Sequence, residues 1–273
     1  MNMADNLYHF YIDYCPYKQA LSTLQALSNE KYLTATELAE TIGEDFRSEV
    51  RKRLVLLGIA EEKEANNTLA YVLTRMGYKL KEISYFDSEI LPDLFHYLHL
   101  LYNPADINSP KMLWSYSQCS SYFWNSGELS NYKEISSFVQ NRMKDDFPTL
   151  DFTASVGARF DHYAVGRWAS YVKNLIPSPV DENKRLEKRS LSRYELILLA
   201  ITHLYYSRNF RFGDPVVVGA NVLDEISSVF FLDPDCAKQL ITIASKLSPL
   251  LSKRDTYGGM AITLNEPYTI ERI

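Results

Sequence analysis

No apolar run in this 273-residue chain approaches the ~20 residues that a helix needs to cross a bilayer, which excludes a helical membrane span. The opening Met1-Asn2-Met3-Ala4-Asp5 lacks the basic-then-apolar layout of a secretory signal, so the expected compartment is the cytoplasm. Cysteine is rare: Cys15, Cys119 and Cys236 lie far apart and form no CxxC pair, which argues against a disulfide framework and a zinc module. There is no GxxxxGK(S/T), no GxGxxG and no GxSxG. A phosphate-cradling loop and a hydrolase nucleophile elbow therefore have no support, and no cofactor is expected.

An excess of positive charge is also missing. Lys and Arg number 29 against 34 Asp and Glu, a net charge of −5. Residues 1–82 carry 10 basic and 12 acidic residues, 83–180 carry 7 and 10, and 181–273 carry 12 and 12. No segment is a basic domain that would clamp a polyanion by charge alone. Binding of that kind would need cations gathered on one face. What is present is an ordinary core-forming composition, 46% hydrophobic and 23% charged.

The first third has a recognisable order. Residues 16–28 start with Pro16, suited to a first helical turn, and place Ala20, Leu21, Leu24 and Leu27 on one side. Thr34 followed three residues later by Glu37 is a capping box, opening a short helix that Gly43 ends. A third helix is predicted from Asp45 to Leu57. At about 100° per residue, its wheel turns Phe46, Val50, Arg53, Leu54 and Leu57 to the core and Arg47, Ser48, Arg51 and Lys52 outward. Two β-prone runs then flank Asn66-Asn67, a pair that tolerates the positive φ of a tight hairpin. The stretch LTATELAETIG…FRSEVRKRLVLLGIAEEK…LAYVLTRMGYKL, within residues 16–82, resembles the winged-helix domains of bacterial regulators. The resemblance implies a third helix in the DNA major groove, with Arg47, Ser48, Arg51 and Lys52 as contacts. Glu61, Glu62 and Glu64 on the wing oppose phosphate, and winged helices also serve as protein-binding modules.

The last third repeats the layout. Residues 190–208 form an apolar helix with Ser192 as candidate cap, and a second helix runs from Asn221 to Phe231. Asp233-Pro234 starts a third. On it Cys236, Leu240, Ile243 and Leu247 are expected to share the buried face, and Lys238, Thr242, Ser245 and Lys246 the other. A hairpin with its tip near Tyr257-Gly258-Gly259 follows, and Lys253 and Arg254 lie on its loop side. The expected DNA contacts of this second unit, about residues 190–266, are Lys238, Thr242, Lys246, Lys253 and Arg254.

The middle is helical, with helices over 88–102, 131–144 and 155–175, and an aromatic cluster at Trp114, Tyr116, Tyr122, Phe123 and Trp124. Such rings form a core or a subunit contact more often than a stacking platform, and with only Lys111 basic nearby, packing or homodimer contact is the expectation. Pro177 to Arg189, two prolines and then mostly charge, reads as a linker. The layout as a whole is similar to that of uncharacterised bacterial proteins found near phage-defence genes.

Chemistry is hard to find. Asp93, His96 and His99 recur every three residues on one helix, a spacing that could gather metal ligands, although a helix-surface histidine pair explains it more simply. Asp145-Asp146 diverge by about 100° on a helix, and Cys119 has no evident base. The expected architecture is mainly α with small β-hairpins (α+β). Two winged-helix units, 1–82 and 181–273, would flank a helical middle, 83–180. The expected function is non-enzymatic DNA binding in regulation or anti-phage defence. The alternative is an adaptor whose winged helices bind protein.

Overall fold

The computed structural model describes residues 9–43, 48–65, 68–103, 106, 109–149, 160–191, 193–257 and 259–273. Among them are eleven α-helices and two small three-stranded antiparallel sheets, the α+β class expected. The chain forms two compact units, Met1–Ile176 and Pro177–Ile273.

The first unit opens with α1 (Tyr17–Ala26), β1 (Leu33–Thr34), α2 (Ala35–Ile42), α3 (Ser48–Leu56), β2 (Ala60–Ala65) and β3 (Thr68–Leu73). Its strands run in the order β1-β3-β2. Helix, strand, two helices and a hairpin in this order, with the first strand completing the sheet, is winged-helix topology. The capping box that begins α2 is formed: Thr34 Oγ1 accepts from the Glu37 amide at 3.3 Å, and the Thr34 amide donates to Glu37 Oε2 at 2.7 Å. Gly43 ends α2 at φ 70°, a conformation that costs a residue without Cβ little. Asn66, Asn67, Phe46 and Arg47 lie outside the described residues.

Five more helices follow: α4 (Arg75–Phe86), α5 (Leu91–Leu100), α6 (Lys111–Ser126), α7 (Tyr132–Asp146) and α8 (His162–Val172). Thr74 caps α4 and donates from its hydroxyl to the Gly58 carbonyl at 2.7 Å, tying the helix to the turn between α3 and β2. Gly77 lies so close to Ile59 that a Cβ there would overlap the Ile59 carbonyl oxygen. The aromatic stretch on α6 packs inside this unit. Trp114, Tyr116 and Phe123 are buried, Trp114 meets Phe10 and Phe147 edge-on, and Trp168 of α8 donates to Ser120 Oγ at 3.0 Å. These rings are core, each contributing about 1.5–3 kcal/mol through burial, and are not left over for a homodimer contact.

The second unit contains α9 (Tyr194–Ser207), β4 (Val216–Val218), α10 (Ala220–Ser228), α11 (Pro234–Leu247), β5 (Leu251–Thr256) and β6 (Gly259–Leu264). Its strand order, β4-β6-β5, reproduces that of the first sheet. The expected cap Ser192 lies outside the described residues. The segment read as a linker is folded instead. Val180 bridges Leu186 around a turn in which Asp181 Oδ1 accepts from the Arg185 amide, and Arg189 is buried. Arg189 accepts from the Asp233 amide, donates its own amide to Phe231 O at 2.8 Å and sends Nη1 to Phe230 O at 3.1 Å. That clamp holds the turn between α10 and α11. In the turn Phe231 has φ 55° with its side chain fully buried, so ring burial offsets a backbone cost of about 1 kcal/mol.

Candidate nucleic-acid interface

The two winged helices differ in what remains of their third helix. On α3, Val50, Arg53 and Leu54 are buried, as the wheel predicts. Arg53 reaches into the helical part of the unit: Nη1 donates to His99 Nε2 at 2.9 Å and Nη2 to the Asp13 carbonyl at 3.3 Å. Lys52 is exposed but lines a cavity with His9, Asp13, Glu49, Leu56 and Met112. In that cavity His9 bonds Asp13 at 2.9 Å. Hydrogen bonding from His9, together with the charges of His9, Arg53 and Arg167, holds the Asp13 carboxyl below its ordinary range despite burial. On the other flank Arg51 is half-buried, its guanidinium 5.3 Å from the centre of the Tyr71 ring, and Ser48 is half-buried. Arg47 lies outside the described residues. Of the cations on α3, Arg51 and Arg53 are thus taken up by this unit's own side chains and Lys52 is exposed, while Glu61, Glu62 and Glu64 are exposed on the wing beside Lys63.

On α11 the third helix is open. Asp233 caps it, accepting from the amides of Asp235 at 2.9 Å and Cys236 at 3.2 Å, with Pro234 in the first turn. The buried stripe is Ala237, Leu240, Ile241 and Ala244. This corrects the expected face, because Ile243 is 41% and Leu247 61% exposed. The outer surface carries Lys238, Gln239, Ile243, Lys246 and Leu247, with Thr242 half-buried and bonded back to the Lys238 carbonyl at 3.1 Å. On the wing Arg254 is exposed, whereas Lys253 is paired with Asp255 at 2.9 Å. Among the described residues no ion pair engages Lys238, Lys246 or Arg254. Gln239, Ile243 and Leu247 are surface residues that the sequence reading missed, and Tyr257, expected near the hairpin tip, is exposed there. The recurrence of 239, 243 and 247 every four residues was the available signal.

The Asp93, His96 and His99 spacing does not make a metal site. All three are buried, not on a helix surface, and among the described residues no three His, Cys, Asp or Glu side chains gather for a metal ion. The nitrogens of His99 are occupied: Nδ1 donates to the Phe95 carbonyl at 2.6 Å and Nε2 accepts from Arg53. His96 Nδ1 meets Tyr116 Oη at 2.8 Å. Burial, reinforced by the Arg53 charge, holds His99 well below its ordinary value, so it is a neutral acceptor.

No protein-family model matches the chain, and no curated protein is similar to it in sequence. Solved structures do share the architecture. SspB with a bound magnesium ion matches at a TM-score of 0.63 and 12% identity, over 95% of this chain and 83% of that one. A second SspB structure matches at 0.60 and 11%, over 93% and 82%. At such identities the likeness is one of fold. No helix among the described residues is long and apolar enough to cross a membrane.

Proposed function

We propose that this chain is a non-enzymatic docking protein whose C-terminal winged helix binds duplex DNA. The observation that carries the reading is the outer face of α11, where Lys238 and Lys246 are exposed and in no ion pair among the described residues, together with the exposed Arg254 of the wing. A third helix with this exposure fits the major groove, and a wing cation adds a backbone contact. The N-terminal winged helix takes a scaffold role, since Arg53 and Arg51 of its third helix are taken up by His99 and Tyr71. Few cations are involved, so affinity is expected to be micromolar at low salt, on the order of 10⁻⁶ M.

A second reading, an adaptor that binds protein, is favoured by Ile243 and Leu247 on the same face, since exposed apolar side chains in a cluster mark protein interfaces. A gel-shift titration separates the two. DNA binding predicts that Lys238→Ala/Lys246→Ala abolishes the shift and that Ile243→Ser/Leu247→Ser leaves it. Absence of any shift by the unaltered chain at low salt would overturn the DNA reading.

A further inference from the structure

The first unit contains a cleft that the DNA reading does not use. It opens between the start of α1 and the end of α8, encloses about 330 Å³, and is lined by Tyr14, Tyr17, Lys18, Arg167, Ser170 and Tyr171 among others. That volume lies within the range of roughly 300–1,000 Å³ that small-molecule sites occupy. Its chemistry is unlike that of the chain around it. In a protein of net charge −5, the charged residues that line it, among the described residues, are two cations, Lys18 and Arg167. Three phenol rings line the same space. Burial raises the ionisation of Tyr17 to about 12 and of Tyr171 well above its ordinary value, so both rings stay neutral and add no negative charge. Burial also raises the Cys15 thiol, which remains protonated.

Arg167 is positioned before any ligand arrives. Its Nη1 donates to the Ile12 carbonyl at 3.4 Å and its guanidinium lies 4.8 Å from the centre of the Tyr11 ring, which fixes its plane beside the cleft. Asp13, whose charge acts on Arg167, is bonded to His9 and lines a separate cavity. Asn174 donates to the Ser170 carbonyl at 2.9 Å, holding a carboxamide at the rim.

Two cations and several aromatic faces in a cavity of this size suit a ligand that is anionic at one end and a flat ring at the other. We infer that the cleft between α1 and α8 binds a 5′-phosphorylated nucleotide, with the phosphate on Lys18 and Arg167 and the base against the tyrosines. Charge-assisted bonds hold the phosphate, and a ring face accepts any base, so discrimination among bases is slight. The site is independent of α11 and does not rest on the DNA reading.

Calorimetric titration of the full chain with AMP and with adenosine tests it. Saturable AMP binding is expected, roughly tenfold weaker in Lys18→Glu and in Arg167→Ala and at least as weak for adenosine. Lys18 is exposed, so its variant reports on binding without risk to folding, and circular dichroism checks both. A 5′-phosphorylated trinucleotide forms the second arm. If it binds more tightly than AMP, the source is a strand end; if not, a free nucleotide. No saturation by either probe at millimolar concentration overturns the inference, as does equal binding of adenosine or an unchanged affinity in Lys18→Glu.

Discussion

Arg53 and His99 meet at 2.9 Å in the interior of the first unit, a buried guanidinium donating to a neutral imidazole. The pair joins the third helix of the winged helix to α5, and the Arg53 guanidinium also lies 5.7 Å from the centre of the Tyr171 ring. Removing the arginine leaves His99 Nε2 without its donor and opens a space beside Tyr171. Arg53→Ala is therefore expected to lower the unfolding free energy by about 3 kcal/mol, read from urea denaturation. A loss below about 0.5 kcal/mol, the level of an ordinary surface change, would mean that the pair does not hold the two parts together.

The same contact sets a pH dependence. In the unfolded chain His99 gains a proton near its ordinary 6.5, whereas in the folded protein burial and Arg53 keep it neutral. His203, half-buried in the second unit, is likewise lowered by the desolvation of its ring. Below pH 6.5 the unfolded state thus binds more protons, and stability falls as pH drops, by up to about 1.4 kcal/mol per pH unit for each histidine until the folded value is reached. Denaturation midpoints between pH 7 and 5 measure this, and the slope should be shallower in His99→Gln. A flat profile over that range would contradict it.

Gly77 makes the contact between α4 and the start of the wing unusually intolerant. Because a methyl group would occupy the position of the Ile59 carbonyl oxygen, backbone must move and no side-chain rotation relieves it. Gly77→Ala is expected to cost about 3 kcal/mol, outweighing the ~1 kcal/mol that alanine gains within a helix. A thermal melt of the variant decides the sign.

If DNA is the ligand, its salt dependence counts the contacts. Each phosphate neutralised contributes about 0.9 to the slope of log affinity against log salt concentration. Lys238→Ala and Lys246→Ala should each flatten that slope by about one unit, while Arg51→Ala and Lys52→Ala leave it unchanged. Flattening by the α3 variants instead would move the interface to the first unit.

How much of this was legible in the sequence depended on the size of the side chains that mark each face. On α3, Val50, Arg53 and Leu54 carry a clear phase, and the wheel placed Arg53 inside correctly. On α11 half of the buried stripe is Ala237 and Ala244, which weigh little in a hydrophobic pattern, so Ile243 and Leu247 pulled the phase around the helix. The wing strands β2 and β3 were readable, but β1 and β4, of two and three residues, are too short to show a period. Pro177 to Arg189 read as a linker because a tight exposed turn and a disordered tether are both rich in charge. The buried partner of Arg189 lies more than forty residues away, at Phe230, beyond the reach of local composition. The α1–α8 cleft was unreadable for the same reason, Lys18 and Arg167 lining one space only in the folded chain.

The capped, clamped start of α11 and its unencumbered outer side have a consequence for how this protein can change. A helix anchored at one end and through one stripe can exchange its remaining side chains without disturbing the body beneath it. Positions 238, 239, 242, 243 and 246 form a natural library for retuning preference, whereas the corresponding helix of the other unit, with Arg51 and Arg53 committed to Tyr71 and His99, leaves less latitude for variation.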